Sequence, residues 1–185
     1  MKNLLSLLLF LVLGTAQAQE ARTLMGQEAT FTSHGFGGFA LRMTALDGAL
    51  IPSFGGFGAG LYNERLILGG GGYNLRGTTP DGDVELGYGG VMLGYILAPE
   101  RPLHLHTSLL LGGGGIHPET GESRAVMVLE PLLEAELNVS RYFRLGIGGG
   151  YRLLVGQTPD AGVSPQDLSG FFGGLSFRFG PFGGW

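Results

Sequence analysis

The chain contains no cysteine, only 14% charged residues and, after residue 18, no uninterrupted apolar run long enough for a membrane-spanning helix. Each absence removes a class of protein. Without cysteine there is no disulfide framework, so an exported domain of this sequence needs a proper core, closure of a sheet, or a membrane to hold it together. Without a long apolar run it is not a helical membrane protein. The 11 Lys and Arg are outnumbered by 15 Asp and Glu, for a formal charge of −4, and this lack of a basic surplus argues against nucleic acid as a partner.

What is present is glycine: 37 of 185 residues, in a chain that is 44% hydrophobic. A disordered glycine-rich linker would be poor in Leu, Phe and Tyr, whereas here they are interleaved with the glycines. The chain therefore reads as folded, with helix penalised throughout. Apolar runs that pass through glycines recur as Leu66 to Tyr73 (LILGGGGY), Leu109 to His117 (LLLGGGGIH) and Leu145 to Tyr151 (LGIGGGY).

Residues 1–18 read as a cleavable signal peptide: Lys2 supplies the positive start, Leu4 to Leu13 an apolar core, and Ala16-Gln17-Ala18 the small-residue cleavage site before Gln19. Residues 19–33 are left as an N-terminal tail of unassigned structure, and residues 34–185 form one domain. Within it, turn signals cut the sequence into eight segments with period-two alternation: 36–46, 49–61, 65–76, 84–97, 103–116, 125–138, 143–156 and 169–179. An even number of such strands suits a closed antiparallel up-and-down barrel.

Two places test this reading internally. Asp47-Gly48 is a two-residue turn signal, and a turn there pairs Leu46 with Ala49, Met43 with Pro52, Arg42 with Ser53 and Leu41 with Phe54, so that apolar and polar faces agree across the hairpin. In the sixth and seventh strands Met127, Leu129, Pro131, Leu133, Ala135 and Leu137 alternate with Glu130, Glu134, Glu136 and Asn138. Likewise Phe143, Leu145, Ile147, Tyr151, Leu153 and Val155 alternate with Arg144, Gly146, Gly148, Gly150 and Arg152. An eight-stranded bore is too narrow for the large side chains of the apolar face, so that face is expected outside, against lipid. The interior is then expected to hold glycines, short side chains and paired charges. Alternation slips within Gly69 to Gly72 and Gly87 to Gly90, which suggests a bulge there. Compact links after strands two, four and six contrast with longer ones at Thr78 to Asp83, Pro118 to Arg124 and Thr158 to Asp167, as in an outer-membrane barrel, apart from the short Asp47-Gly48 turn.

The pattern His34-Gly35-Phe36-Gly37-Gly38, the GGGGY of the third strand, Val84 to Gly90, the run from Leu129 to Val139 followed by Tyr142-Phe143-Arg144-Leu145-Gly146, and Asp167-Leu168-Ser169-Gly170 before a final SFRFG resemble an uncharacterised family of small exported bacterial outer-membrane β-barrel proteins. The resemblance implies the barrel fold and location in the outer membrane; membrane lipid and the barrel-insertion machinery are the partners expected of such a barrel, with any protein partner unknown. It implies no activity, cofactor or site residue. Phe171, Leu175, Phe177 and Phe179 on one face of the last strand resemble the signal read by that machinery, although the chain continues as Gly-Pro-Phe-Gly-Gly-Trp.

The most organised charges are Glu130, Glu134, Glu136, Arg144 and Arg152, with Arg42 and Arg178 available from the first and last strands. Buried charge is costly unless paired or used, so this set is either a ligand-binding or relay site or, as preferred here, a salt-bridge network that fills the lumen. A second constellation is His106 and Ser108, on one face of the fifth strand with His104, and Glu130 on the next strand. These types suit base, nucleophile and orienting carboxylate in a barrel-type lipid A deacylase, although alternation turns them toward the lumen and not the lipid. The histidine pair lacks a third zinc ligand, and Asp81, Asp83 and Glu85 lack the spacing of a calcium loop, so no metal site is assigned. Tyr62, Tyr95, Tyr142, Phe143, Phe179, Phe182 and Trp185 fall near strand ends, where interfacial aromatic girdles lie. Three functions remain open: a non-enzymatic outer-membrane barrel, a lipid hydrolase, and a soluble exported barrel for a small apolar ligand. In the last, Glu134 and Glu136 would be exposed and Leu133 and Leu137 buried.

Overall fold

The computed structural model describes residues 32–46, 49–79, 82–118, 123–157 and 164–182. The signal peptide, most of the N-terminal tail, the Asp47-Gly48 turn and Trp185 lie outside them. Period-two sequence becomes strand throughout: β1 (Ser33–Leu46), β2 (Ala49–Tyr62), β3 (Leu66–Thr79), β4 (Gly82–Leu97), β5 (Leu103–Pro118), β6 (Arg124–Ser140), β7 (Phe143–Gly156) and β8 (Gly170–Phe179). Every strand pairs antiparallel with its successor, and β1 closes the barrel on β8. The first hairpin has the expected register, from Leu46 opposite Ala49 to Leu41 opposite Phe54. Closure pairs both edges of the sheet, so no strand is left open within it.

The faces are inverted relative to a soluble barrel. Leu133 and Leu137 are 54% and 41% exposed, whereas Glu134 and Glu136 are 4% and 0%. Exposed apolar side chains cover the outer wall of every strand, from Leu41 and Met43 on β1 to Phe171 and Phe179 on β8. That arrangement is the opposite of what the soluble reading requires.

Several expectations are corrected. The β3–β4 ladder runs without a shift from Leu66 opposite Tyr95 to Thr79 opposite Gly82, so the glycine runs contain no bulge. What changes there is the outward face: Leu66 and Leu68 point out below the run, Asn74 and Arg76 above it, while Ile67, Tyr73 and Leu75 stay buried. The sequence pattern slips because the outside becomes polar and the inside does not. Among the described residues a register shift lies instead between Asn138 and Ser140, on β6. The β6–β7 ladder also skips Glu130 and Pro131, where proline has no N–H to offer. Strand pairing extends to Thr79 and from Gly82, so the third link is shorter than Thr78 to Asp83. Ser33 already belongs to β1, and Thr32 is tied to the β2–β3 turn by Asn63 N–H donating to its carbonyl at 2.9 Å.

The bore is also fuller than glycines and paired charges alone. At the end of the β1–β2, β3–β4 and β5–β6 hairpins, here the loop end, Leu46, Ile51, Leu75, Leu86, Ile116 and Leu154 pack into one apolar cluster. Leu168, on a short 3₁₀ turn at Gln166–Leu168, joins it from the β7–β8 connection. At the opposite, turn end, Phe36, Leu61, Ile67, Met92, Ile96 and Phe182 form a second. The inward positions near both ends take aliphatics because there the bore itself serves as a hydrophobic core. Glycine supplies close approach where the wall is tightest: a Cβ on Gly90 would come 2.6 Å from Gly112 Cα on the facing strand, and one on Gly112 would come 2.6 Å from Gly90 Cα.

Candidate functional site: the charged layers of the bore

β6 has no glycine between Arg124 and Ser140, and its even-numbered residues point inward, so it delivers Glu130, Glu134 and Glu136 as one acidic stripe. Glycines on β7 make the space for it. A Cβ on Gly146 would collide with Ser176 Oγ and come within 3.2 Å of Arg178 Nη1 and Glu134 Oε1.

The upper layer centres on Glu130. Arg42 Nη1 donates to its Oε1 at 2.6 Å, and the Tyr88 hydroxyl donates to its Oε2 at 2.5 Å. Arg42 Nη2 also donates to the Tyr73 hydroxyl at 2.9 Å, and the guanidinium lies 3.8 Å from the Tyr73 ring centroid and 4.5 Å from that of Phe172. Both oxygens of the buried carboxylate are thus bonded, and the cation is covered by aromatic faces.

In the lower layer, Arg178 bridges Glu134 through Nη2 and Glu136 through Nη1. Arg144 Nη1 donates to Glu136 Oε1 at 3.0 Å, and His104 Nε2 lies 3.1 Å from the same oxygen. His106 Nδ1 sits 3.1 Å from Glu134 Oε2 and 3.0 Å from Arg178 Nη2, so a single tautomer satisfies one of these contacts as a hydrogen bond. The layer meets the turn-end apolar cluster through cation–π contacts, Arg144 lying 4.2 Å from the Phe182 ring and Arg178 5.5 Å from that of Phe57.

Of the charged residues singled out from sequence, six come together: Glu130, Glu134 and Glu136 with Arg42, Arg144 and Arg178. These three carboxylates and three guanidiniums compensate one another, and the buried Arg152 adds a fourth guanidinium to the bore. Arg152 adjoins the upper layer, its guanidinium 5.5 Å from the Tyr88 ring centroid, but makes no ion pair among the described residues. Its Nε and Nη2 donate to the Leu168 carbonyl at 3.2 and 3.1 Å, fastening the β7–β8 connection over the bore. It faces inward from the same strand as Arg144, and the acceptor it meets there among the described residues is the main-chain carbonyl of Leu168.

The hydrolase constellation is not assembled. The carboxylate beside His106 is Glu134, while Glu130 is taken by Arg42 and Tyr88. No hydrogen bond joins Ser108 to His106, whose Nε2 is buried without a partner among the described residues. His106 and Ser108 are both buried inside the wall, away from its exposed apolar face. No group of three potential metal ligands occurs among the described residues.

Sequence reasoning missed Tyr73 and Tyr88, which complete the upper layer, and Phe182, which is buried in the bore and not in a girdle. The tyrosines face each other across the β3–β4 ladder, and counting in twos from Ile67 through the glycine run would have placed Tyr73 inside. Phe182 carries no such signal, because it lies beyond the last strand and its N–H is held by the Arg141 carbonyl at 3.0 Å.

No family model matches the chain, and no curated protein matches it in sequence. Among solved structures, Neisserial surface protein A (NspA) is similar over 84% of this chain and 100% of its own, at 14% identity and a TM-score of 0.56. The N-terminal β-barrel domain of Pseudomonas aeruginosa OprF is similar over 80% of this chain and 96% of its own, at 12% identity and a TM-score of 0.55. At such identities the likeness speaks for the closed eight-stranded fold.

Proposed function

We propose that the protein is an integral outer-membrane β-barrel with a filled lumen and no enzymatic activity, contributing to envelope structure or to surface interactions through its loops. The observation that carries this reading is the inversion of faces: leucines cover the wall while the carboxylates are buried inside it. Exposing so much apolar surface to water is unfavourable, and a bilayer removes the penalty. Strands of 10 to 17 residues are long enough to cross an outer membrane when tilted.

The turn end faces the periplasm in this reading, and the loop end the exterior. Asn74 and Arg76 both donate to the Glu85 carboxylate on the outside of the β3–β4 hairpin, above the apolar belt, as a segment standing in water would. The apolar clusters toward the two ends of the bore argue against a conducting pore. Export through residues 1–18 and delivery by the barrel-insertion machinery, reading the outward face of β8, complete the proposal.

The decisive experiment is gel migration of the detergent-extracted outer-membrane fraction with and without boiling. A closed membrane barrel shifts between the two, whereas recovery in the soluble periplasmic fraction would sink the reading. N-terminal sequencing of the recovered protein should begin at Gln19. Cells expressing Ser108→Ala should have lipid A acylated as in wild type, and a difference would restore the hydrolase.

A further inference from the structure

We propose that a phospholipid of the periplasmic leaflet is held at a built site on the outer wall, with its acyl chain along Leu66 and Leu68 and its phosphate at Arg65. The inference rests on the membrane reading above. A groove of about 500 Å³ lies there, lined by Tyr62, Asn63, Arg65, Leu66, Leu68 and Tyr95. Its geometry follows from register: Leu66 pairs with Tyr62 on β2 and with Tyr95 on β4, so two tyrosines flank one leucine across three strands. Gly60 lets the Tyr62 ring lie back against the wall, since a Cβ there would sit 2.8 Å from the Tyr62 hydroxyl.

The polar end is fixed by the turn. Asn63 and Glu64 both adopt left-handed backbone, with φ of 48° and 61°. Arg65 N–H donates to the Tyr62 carbonyl at 3.1 Å, and its own carbonyl accepts from Ile96 N–H at 2.8 Å. Arg65 is therefore anchored by main chain on both sides while its side chain reaches the groove. From there to Leu68 is three residues of strand, roughly 10 Å, enough for the upper methylenes of an acyl chain. Tyrosine suits this border, with an apolar ring and a polar tip.

Charge decides which groove is the site. A second apolar groove, between Leu41, Met43, Pro52, Phe54 and Leu175, also ends at an arginine, Arg76. That guanidinium is engaged by Glu85 at 2.5 Å, and Glu85 accepts from Asn74 as well. Among the described residues Arg65 has a single loose ion pair, with Glu100, at 3.7 Å between two exposed groups, which is beyond hydrogen-bond distance. Its planar fork remains available to a phosphate diester.

The test is native mass spectrometry of the folded protein released from detergent containing dioleoyl phosphatidylglycerol or, at equal mole fraction, dioleoylglycerol, which has the chains but no phosphate. Wild type should retain the phospholipid preferentially. Arg65→Gln should lower retention roughly fivefold, and Glu100→Gln should raise it. Arg141→Gln, in another turn at the same end, should leave it unchanged. Equal retention of the two lipids by wild type overturns the proposal, as does an equal loss in Arg65→Gln and Arg141→Gln, which would mark general surface charge. Protein that never enters the micelle overturns the membrane reading and the site with it. Protein that enters and shows no preference for phosphate overturns the site alone.

Discussion

Arg42 on β1 donates to Glu130 on β6 at 2.6 Å, although the residues are 88 positions apart and their strands are not neighbours. The bond crosses the bore. It therefore ties opposite walls of the barrel together, which ladder hydrogen bonds between adjacent strands do not do. Both groups are buried, so each is the other's compensation for lost water.

Removing one member should cost more than removing both. Glu130→Ala leaves Arg42 buried without its carboxylate and is expected to destabilise the barrel by about 3–5 kcal/mol. The double variant Arg42→Met/Glu130→Leu should recover much of that loss. Urea titration of the folded gel band in detergent measures both, and additive losses would contradict the pairing.

Glycine clearance predicts a contrast between neighbours on β7. A side chain on Gly148 would meet the Leu133 carbonyl, with Glu134 Cγ 2.7 Å from its Cβ, while Ile147 points outward and is 63% exposed. Gly148→Leu should therefore lower the refolding yield in detergent far more than Ile147→Leu. Equal yields would show that the wall can part to admit the new side chain.

Phe182 lies against Phe36, with ring centroids 5.6 Å apart, and beneath Arg144. Phe182→Ala should cost about 3–5 kcal/mol, as for a buried core aromatic. Tyr142→Ala, at an exposed position in the adjacent turn, should stay within about 0.5 kcal/mol in a micelle. Matching losses in the urea titration would place the two aromatics in one girdle after all.

Arg152 holds the Leu168 carbonyl through two donors, and Leu168 is itself buried in the loop-end cluster. Arg152→Ala should free the β7–β8 connection while leaving the barrel closed. Limited proteolysis is expected to cut within 157–169 faster than in wild type, with the unboiled gel shift retained. Unchanged cleavage would mean that Leu168 packing alone holds the segment.

Local pattern was enough for much of this molecule. The Asp47-Gly48 signal and its flanking alternation set the β1–β2 register, because a slip by one residue would turn Arg42 to the outside. The stripe on β6 set which face is wet and which is greasy, for the same reason of period. Glu130, Glu134 and Glu136 were legible as buried charges because period two puts them on one face of β6 and the apolar run from Met127 to Leu137 on the other.

What could not be read were the partners across the bore. Whether Glu130 meets Arg152 on the next strand or Arg42 on the far wall depends on strand tilt and closure, which bring together side chains remote in sequence and in the ladder. The slip at Gly69 to Gly72 looked like a backbone irregularity because one strand carries one pattern, whereas its outward face passes through two surroundings. The aliphatic clusters were missed on the same ground: alternation assigns a residue to a face, and only the closed barrel gives that face a height. Composition and period thus specified an eight-stranded closed wall with its charges inside. Three-dimensional closure chose the ion pairs, drew Phe182 into the bore and sent Arg152 to the main chain, because those choices rest on distances across the barrel that no run of neighbouring residues encodes.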